Sequence, residues 1–304
     1  MPSLRRPIAR LALALLLLPA LAPPASAQGP DPGWLRELGD WRSKRFERLR
    51  APDGWLTLVG LYWLHEGTSR FGSSPANELV LAGAPPIVGT LEVAGGKAVF
   101  ASAPGVEVLR EGERVGRIEM APDTSDAPTV LTSGSLTFFV IARGERLALR
   151  VRDSEAAARR AFAGLEQFPV HPAWRVRARL DPAPPGTTFP VPNVTGTVDP
   201  TPTPGSLVFT VGGTEHRLVA LSEEGAEDLF LVFGDRTNGQ ETYGGGRFLY
   251  APRPGPDGTT WLDFNRAYNP PCAFTPYATC PLPPRENRLP IRVEAGEKSY
   301  AKGH

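Results

Sequence analysis

Residues 136–151 read LTFFVIARGERLALRV, and this stretch decides the fold class of the chain. Two apolar runs with a period of two, Leu136–Ala142 and Arg146–Val151, flank the turn Arg143-Gly144-Glu145, which predicts two β-strands. Similar short runs precede them and are also predicted as strands: Trp55–Leu64, Arg70-Phe71, Leu79–Leu81, Gly89–Val93, Ala98–Ala101, Val106–Leu109, Arg114–Met120 and Thr129–Thr132. Strands at this spacing predict a β-sandwich domain over residues 55–165, closed by a short helix at Ser154–Phe162.

A second strand-rich region follows Phe168–Pro172, a segment typical of a domain boundary. Its predicted strands are Trp174–Leu180, Thr187–Val191, Gly196–Val198, Ser206–Val211, Arg217–Leu221, Leu229–Phe233, Arg247–Tyr250, Thr259–Phe264 and Leu289–Val293. The proline-rich segments Asp181–Gly186 and Thr201–Gly205 predict loops. We therefore predict a mainly all-β fold in which a C-terminal β domain occupies residues 166–304.

One helix is predicted ahead of the strands, within residues 28–54. Asp31 is typical of a helix N-cap, and Pro32 suits the first helical position. Apolar side chains then recur at helical spacing as far as Leu49, and Pro52-Asp53-Gly54 ends the pattern. These features predict an amphipathic helix over about residues 31–50, packed on the two β units.

The first 27 residues have the pattern of a signal peptide. Arg5, Arg6 and Arg10 precede the apolar run Leu11–Leu21, and the small residues Ala25-Ser26-Ala27 then match a signal peptidase site. The apolar run is shorter than the ~20 residues that a membrane span needs, and no later stretch is apolar enough to cross a membrane. We expect cleavage at Ala27-Gln28 and an exported protein that is periplasmic or extracellular.

The charge balance favours some partner classes over others. Residues 1–27 carry three of the 33 basic residues and no acidic residue, so their removal leaves 30 basic against 32 acidic residues. The basic residues are spread along the chain without forming a block. This balance argues against nucleic acid as a partner, and it leaves an unknown small molecule or peptide as the expected ligand.

Residues 67–81 read GTSRFGSSPANELVL and resemble forkhead-associated domains, which are β-sandwiches that bind phosphothreonine. The resemblance lies in the hydrophobic-Gly and Asn-acidic-aliphatic-x-Leu phrases. Ser73 stands where that family places its phosphate-binding arginine, and no Ser-x-x-His phrase follows. The resemblance therefore implies a sandwich fold for the N-terminal β region and no phosphopeptide site.

A longer resemblance covers most of the chain. It is carried by WLTLVGLYWL at 55–64, FGDRTNGQETYGGGRFL at 233–249, LDFNRAYNPPCAF at 262–274, YATCPLPP at 277–284, ENRL at 286–289 and AGE at 295–297. These phrases resemble the DUF1684 family, a domain of unknown function. The family has no established activity, so the resemblance implies kinship and no mechanism.

The loops between residues 235 and 287 concentrate polar side chains among Gly and Pro, which is where binding sites on β scaffolds tend to lie. The candidate ligand-binding residues are Asp235, Arg236, Glu241, Tyr243, Arg247, Asp263, Asn265, Tyr268 and Asn269. In one interpretation Arg236 or Arg247 holds an acidic group while Glu241 or Asp263 acts as a base. In the other, Arg247 pairs with Asp263 and Arg236 with Glu241, as part of the scaffold.

Cys272 and Cys280 are the two cysteines of the chain, and an exported protein favours a disulfide between them. The alternative is a nucleophilic thiol at Cys272 with a nearby base. No spacing typical of a zinc site occurs, and no nucleotide or nucleophile-elbow motif is present, so we expect neither a metal nor a cofactor.

Aromatic residues are dense near the N-terminus, at Trp34, Trp41, Trp55, Tyr62 and Trp63. Their spacing favours the hydrophobic core, and a stacking face for a sugar or base is the alternative. Two functions therefore stay open. The chain binds a small polar ligand or peptide through the 235–287 loops, or it is a hydrolase- or transferase-like enzyme acting on an anionic substrate.

Overall fold

The structure is a computed structural model and describes residues 30–300. The predicted signal peptide and its cleavage position at Ala27-Gln28 lie outside these residues. Within them, no helix has the length and apolar character that a membrane span needs.

The N-terminal helix α1 spans Pro32–Arg50, as predicted. The carboxylate of Asp31 caps it by accepting a hydrogen bond from the Gly33 amide at 2.9 Å. Its buried residues are Trp34, Leu38, Arg45 and Leu49. Their spacing forms one helix face, and the burial of an arginine on that face shows that the helix contacts more than an apolar core.

Two facing sheets form the N-terminal sandwich. The strands are β1 (Leu58–Trp63), β2 (Gly67–Gly72), β3 (Leu79–Val80), β4 (Gly89–Ala94), β5 (Lys97–Ser102), β6 (Leu109–Arg110), β7 (Glu113–Arg114), β8 (Arg117–Glu119), β9 (Val130–Ser133), β10 (Leu136–Arg143) and β11 (Arg146–Asp153). One sheet has the order β1-β11-β10-β9-β6-β7 and the other the order β3-β2-β4-β5-β8. The likeness of this part to forkhead-associated domains stays a prediction.

The inner faces of these sheets form one apolar core. Phe138 lies opposite Val151 in the β10–β11 pairing and contacts both Phe71 and Phe100, with ring centroids 5.4 and 5.3 Å apart. The alternation that predicted β10 and β11 therefore places Phe138 and Val151 inside. The outer face of the same pair carries Arg150 toward the C-terminal part of the chain.

Some predicted elements differ in length. The strand predicted at Arg114–Met120 is split into β7 and β8, and it turns at Gly116. The helix predicted at Ser154–Phe162 is reduced to α2 at Ala157–Arg160, where the Ala156 N-cap makes no side-chain bond.

The C-terminal part contains a further set of strands. They are β12 (Arg175–Pro182), β13 (Thr188–Pro192), β14 (Val198–Pro202), β15 (Gly205–Val211), β16 (Thr214–Ala220), β17 (Leu229–Phe233), β18 (Arg247–Ala251) and β19 (Thr259–Asp263). One sheet has the order β16-β15-β12-β19, and two pairs, β13-β14 and β17-β18, flank it. Short 3-10 turns lie at Trp55–Thr57, Pro172–Trp174, Phe264–Arg266, Pro271–Ala273 and Arg285–Asn287.

Three of the C-terminal predictions were wrong. Both proline-rich segments expected to be loops lie partly in strands, with Asp181 and Pro182 at the end of β12 and Thr201 and Pro202 at the end of β14. Each strand of the two-stranded β13–β14 pair has a free edge, and a proline, which has no N–H to donate, is tolerated there. The strand predicted at Leu289–Val293 is irregular, although the Leu289 amide still donates to the Gly234 carbonyl at 2.8 Å.

The apolar side chains divide into a sandwich core within residues 71–151 and a C-terminal core within residues 178–295. Because the two cores lie on opposite sides of residues 165 and 166, we propose that the domain boundary lies there, as predicted. A third cluster joins the parts, because Leu49 and Leu56 pack with Ala273 and Phe274. Helix α1 and the irregular C-terminal segment are therefore in direct contact.

Candidate functional site

Asp235 and Arg247 form a fully buried ion pair. Asp235 Oδ2 accepts from Arg247 Nη2 at 2.7 Å, and both side chains are 0% exposed. Arg247 also donates to the Val293 carbonyl at 2.8 Å and to the Ala295 carbonyl. Burial lowers the pKa of Arg247, and the neighbouring Asp235 carboxylate opposes that shift. This arginine is held by the scaffold and is 0% exposed, so a ligand in solution does not reach it.

The acids predicted as bases also have internal partners. Glu241 pairs with Arg292 at the surface, and the Arg236 side chain is exposed. Asp263 Oδ2 accepts from the Trp34 indole at 2.7 Å, while Oδ1 accepts from the Asn265 side chain at 3.0 Å. The predicted pairs, Arg247 with Asp263 and Arg236 with Glu241, are therefore wrong in their partners.

The two predicted asparagines serve the backbone. Asn265 exchanges hydrogen bonds with the amide and carbonyl of His171, at 3.0 and 3.1 Å. The Asn269 side chain donates to the Lys298 carbonyl at 2.7 Å, and the Asn269 backbone N–H donates to the Glu297 carboxylate at 2.7 Å. Both asparagines are 0% exposed, so they hold loops together and are not available to a ligand.

Cys272 and Cys280 form a disulfide, with their Cα atoms 6.2 Å apart. The disulfide prediction agrees with this geometry, and the alternative of a nucleophilic Cys272 is wrong because an oxidised sulfur is not a thiolate. Within residues 30–300, no three His, Cys, Asp or Glu side chains come together as a metal-binding group.

An open cavity of about 660 Å³ lies beside these loops, and we call it the aromatic cavity. Six aromatic side chains line it: Trp41, Trp55, Phe230, Phe248, Tyr250 and Tyr268. Arginine, carboxylate, proline and hydroxyl groups complete its wall: Arg45, Arg48, Arg266, Glu223, Asp228, Pro252, Pro271, Pro281, Thr279 and Cys280. Its size is that of a small-molecule site.

Three elements bring the rings together. Phe230 and Tyr250 are direct partners in the β17–β18 pairing, and an isolated bridge joins Phe248 to Tyr268. Phe230 and Phe248 meet edge to face at 4.9 Å, whereas Tyr250 and Tyr268 stack with an interplanar angle of 13°. Helix α1 adds Trp41, whose ring lies 6.2 Å from that of Tyr268.

The charged groups of the cavity differ in how firmly they are held. The Arg45 guanidinium lies 4.7 Å from the Tyr268 ring centroid and is bound by the buried Glu297 through Nε at 3.0 Å. Arg48 is exposed and has no ion-pair partner in the described part of the chain. Glu223, at the mouth, accepts from the Tyr250 hydroxyl at 2.7 Å.

Burial affects both tyrosines. It raises the pKa of Tyr268 to about 12, and the nearby Arg45 charge opposes that shift. It also raises the pKa of Tyr250, with further contributions from Tyr268 and Glu223. Both phenols therefore stay protonated at neutral pH, so each can donate a hydrogen bond.

Of the nine predicted ligand residues, Tyr268 lines the aromatic cavity. Tyr243 lines a second cavity, between strand β1 and the disulfide segment. Sequence reasoning missed Arg45, Arg48 and Tyr250. The spacing of Trp41, Arg45 and Arg48 on one helix face was a usable signal. The position of Tyr250 in the cavity wall could not be predicted from the sequence, because it depends on the pairing of β17 with β18 across the long 234–246 connection.

Comparison with known proteins gives kinship without function. Residues 160–298 match the family described as "Protein of unknown function (DUF1684)", which confirms the predicted resemblance over this range, whereas the phrase at residues 55–64 lies outside the matched residues. A solution NMR structure of an uncharacterized protein from Haloarcula marismortui is 33% identical, covers 47% of this chain and 80% of that chain, and has a TM-score of 0.40. No curated protein matches the chain.

Proposed function

The chain belongs to the DUF1684 family, whose function is unknown, and we propose that it binds a small polar ligand in the aromatic cavity. The ligand has a ring with an apolar face and several hydroxyl groups, which is the chemistry of a neutral sugar. The observation that carries this proposal is the convergence of six aromatic side chains on the wall of one open cavity, where Phe230 and Phe248 form the buried base and Tyr250 is exposed.

Aromatic surface left in contact with water is unfavourable, and chains normally bury it in a core. Here Tyr250 keeps 38% of its surface exposed, although its ring stacks against Tyr268 at the wall of the cavity. An open arrangement of this kind is typical of a surface that a flat ligand covers. Stacking on tyrosine and tryptophan faces suits the apolar face of a ring.

The polar groups at the mouth favour a neutral ligand with many hydroxyls. Glu223 and Asp228 offer carboxylate acceptors, and Arg48 offers guanidinium donors. Charges of both signs at one rim favour neither a strongly anionic nor a strongly cationic ligand. The 235–287 loops, from which we predicted binding, supply Tyr268, Thr279 and neighbouring wall residues.

The alternative enzyme function has no free catalytic group among the three residues nominated for it. Glu241 is paired with Arg292, Asp263 is bound by Trp34 and Asn265, and Cys272 is oxidised. A base or nucleophile needs an available lone pair facing the substrate. We therefore favour binding over catalysis for this site.

Sugar binding is tested by intrinsic fluorescence, because Trp41 and Trp55 lie in the cavity wall. The probes are glucose, N-acetylglucosamine, maltose and cellobiose. A saturable response is expected for at least one, and Tyr250→Ala should weaken it about tenfold, equivalent to about 1.4 kcal/mol of stacking. Trp261→Ala is the matched control, because Trp261 is 40% exposed and outside the cavity.

Two outcomes would overturn this proposal. One is the lack of a saturable response to every sugar in the series. The other is equal binding by Tyr250→Ala and the unaltered chain, which would place the ligand elsewhere.

We also propose that the protein is exported. The pattern of residues 1–27 supports this, and so does the Cys272–Cys280 disulfide, since such bonds persist in oxidising compartments. Fractionation of cells that express the full chain should yield a mature form beginning at Gln28 outside the cytoplasm. Recovery of the uncleaved chain in the cytoplasm would contradict it.

A further inference from the structure

A second cavity, of about 540 Å³, lies where the sandwich meets the C-terminal loops, and we call it the seam cavity. Strand β1 contributes Trp63, β11 contributes Arg146, and the disulfide segment contributes Thr279. Among the described residues that line it, none is aspartate or glutamate. A polar wall of donors without carboxylates favours an anion.

The Arg146 side chain lies at the edge of this cavity, stacked on an aromatic ring. Its guanidinium lies 3.7 Å from the centroid of the Trp63 ring, and Arg146 is exposed. It forms no salt bridge within the described part of the chain. Stacking fixes the plane of the guanidinium and leaves its N–H edge free, which is the geometry that binds an oxyanion through two parallel hydrogen bonds.

Arg150 carries a buried charge behind the cavity wall. It is 5% exposed, and its one side-chain hydrogen bond runs from Nη2 to Thr279 Oγ1 at 3.1 Å. Its Nε is buried without a partner. Burial and the charges of Arg143 and Arg152 lower the pKa of Arg150 to about 10, and the Asp123 carboxylate, which is paired with Arg143 at 2.9 Å, opposes that shift. Arg150 itself forms no salt bridge within the described part of the chain, so a further anion nearby would stabilise this buried cation.

Thr279 connects the buried Arg150 and the half-buried Arg143, which is paired with Asp123, to the cavity. Its Oγ1 accepts from Arg150 and also from Arg143 Nε at 3.2 Å. Because a hydroxyl accepts two hydrogen bonds and donates one, its own O–H is left to donate. Tyr243 also lines this cavity, and burial raises the pKa of its phenol, so the Tyr243 hydroxyl stays a donor.

We propose that the seam cavity binds an organic oxyanion, a carboxylate or phosphate group attached to an apolar body. Arg146 holds two oxygens of the anion, and the hydroxyls of Thr279 and Tyr243 donate to it. The apolar body lies against Leu61 and Val194, which also line the cavity. This site is separate from the proposed sugar site and does not rest on it, although Thr279 lines both cavities.

The test is calorimetric titration of the full chain with four probes. Phenyl phosphate and benzoate carry both the oxyanion and the apolar body, inorganic phosphate lacks the body, and benzyl alcohol lacks the charge. At least one of the first two should bind at least tenfold more tightly than inorganic phosphate and benzyl alcohol. Binding of phenyl phosphate alone identifies a phosphate ester as the ligand, and binding of benzoate alone identifies a carboxylate.

Arg146→Gln should weaken the productive probe about tenfold or more, because a charge-assisted bidentate contact is lost. Arg146 is exposed, so this variant should fold. Arg117→Gln is the matched control, since Arg117 is exposed on β8, paired with Glu92 and outside the cavity. Sugar binding should be unchanged in Arg146→Gln, which separates the two sites.

Thermal unfolding of Arg150→Met gives a second measurement. Without an anion, the variant should unfold at the same temperature as the unaltered chain or higher, since it removes a buried charge that has no salt bridge of its own. With the productive probe, the unaltered chain should gain thermal stability and the variant should gain less. The proposal is overturned if neither oxyanion probe binds, if benzyl alcohol binds as tightly, or if Arg146→Gln binds like the unaltered chain.

Discussion

The Asp235→Asn variant should have a much lower free energy of unfolding than the unaltered chain. Both proposed ligand sites should be unaffected. Asp235 Oδ2 accepts from Arg247, and Oδ1 accepts from the Thr237 and Val293 amides at 2.8 and 3.2 Å. The Asn variant replaces an acceptor with a donor beside a guanidinium that is already a donor. Asp235 and Arg247 are thus the pair on which the irregular C-terminal segment depends.

The magnitude follows from burial. Both side chains are fully buried, and removing one partner of a buried pair costs about 3–5 kcal/mol, because the other charge stays in the interior uncompensated. Glu241→Gln breaks the Glu241–Arg292 pair, in which both side chains are exposed to solvent, and should cost far less than Asp235→Asn because water screens the pair. Asp235 and Glu241 are both acidic residues of the same loop segment, but the Asp235 side chain is buried and the Glu241 side chain is exposed.

Urea unfolding followed by circular dichroism measures both losses. Asp235→Leu with Arg247→Met should recover only part of the stability lost in Asp235→Asn, because the double change removes both charges but leaves the Thr237 and Val293 amides without their acceptor. The reasoning is refuted if Asp235→Asn costs less than about 1 kcal/mol, or if it costs no more than Glu241→Gln.

Three further outcomes are expected. Replacing Cys272 and Cys280 by serine should cost about 2–3 kcal/mol, because the disulfide closes a short loop in the unfolded chain; equal stability with and without reductant would contradict this. The raised pKa of Tyr268, about 12, should contribute a loss of stability of up to about 1.4 kcal/mol for each pH unit as pH rises from about 10 to 12, because the folded state holds that proton longer. Tyr250, whose pKa is also raised, adds to the slope, so Tyr268→Phe should reduce the slope in a pH series of melting curves without abolishing it, and an unchanged slope would count against this role. Trp34→Phe should cost about 1–3 kcal/mol in urea unfolding, because it leaves the buried Asp263 oxygen without its indole donor, and a loss within the error of the fit would refute that role.

The sequence was most informative where local pattern determines structure. The alternation in residues 136–151 predicted β10 and β11, and the cap at Asp31 with Pro32 predicted the start of α1. Each feature depends on neighbours within a few residues. Proline misled the prediction at Thr201, where the preference against strands is overridden by a free sheet edge.

Partner choice could not be predicted in the same way. A charge in an apolar setting requires a partner, but several acids lie within reach along the 235–297 segment. Arg247 selects Asp235 because β18 pairs with β17, and Asp235 follows two residues after Phe233, the partner of Arg247. The aromatic residue Trp41 presented the same ambiguity, since helical spacing fits a core and a cavity wall equally well.

The high density of polar residues between 235 and 297 has a structural cause. After β19 ends at Asp263, the described chain forms 3-10 turns and single bridges, so its backbone groups lack the partners that a sheet ladder supplies. Side chains replace them. Asn287 alone bonds the Val219 amide and carbonyl and the Val232 carbonyl, at 2.7, 3.0 and 2.9 Å.

Such buried amides and carboxylates resemble a binding site in sequence because a loop scaffold and a ligand site require the same donors and acceptors. The difference lies in whether the side chain meets protein or open space. Asp235 and Asn287 meet backbone, whereas Tyr268 and Thr279, from the same segment, face the aromatic cavity. The polar residues hold the segment in place, and the residues between them are therefore free to form cavity walls.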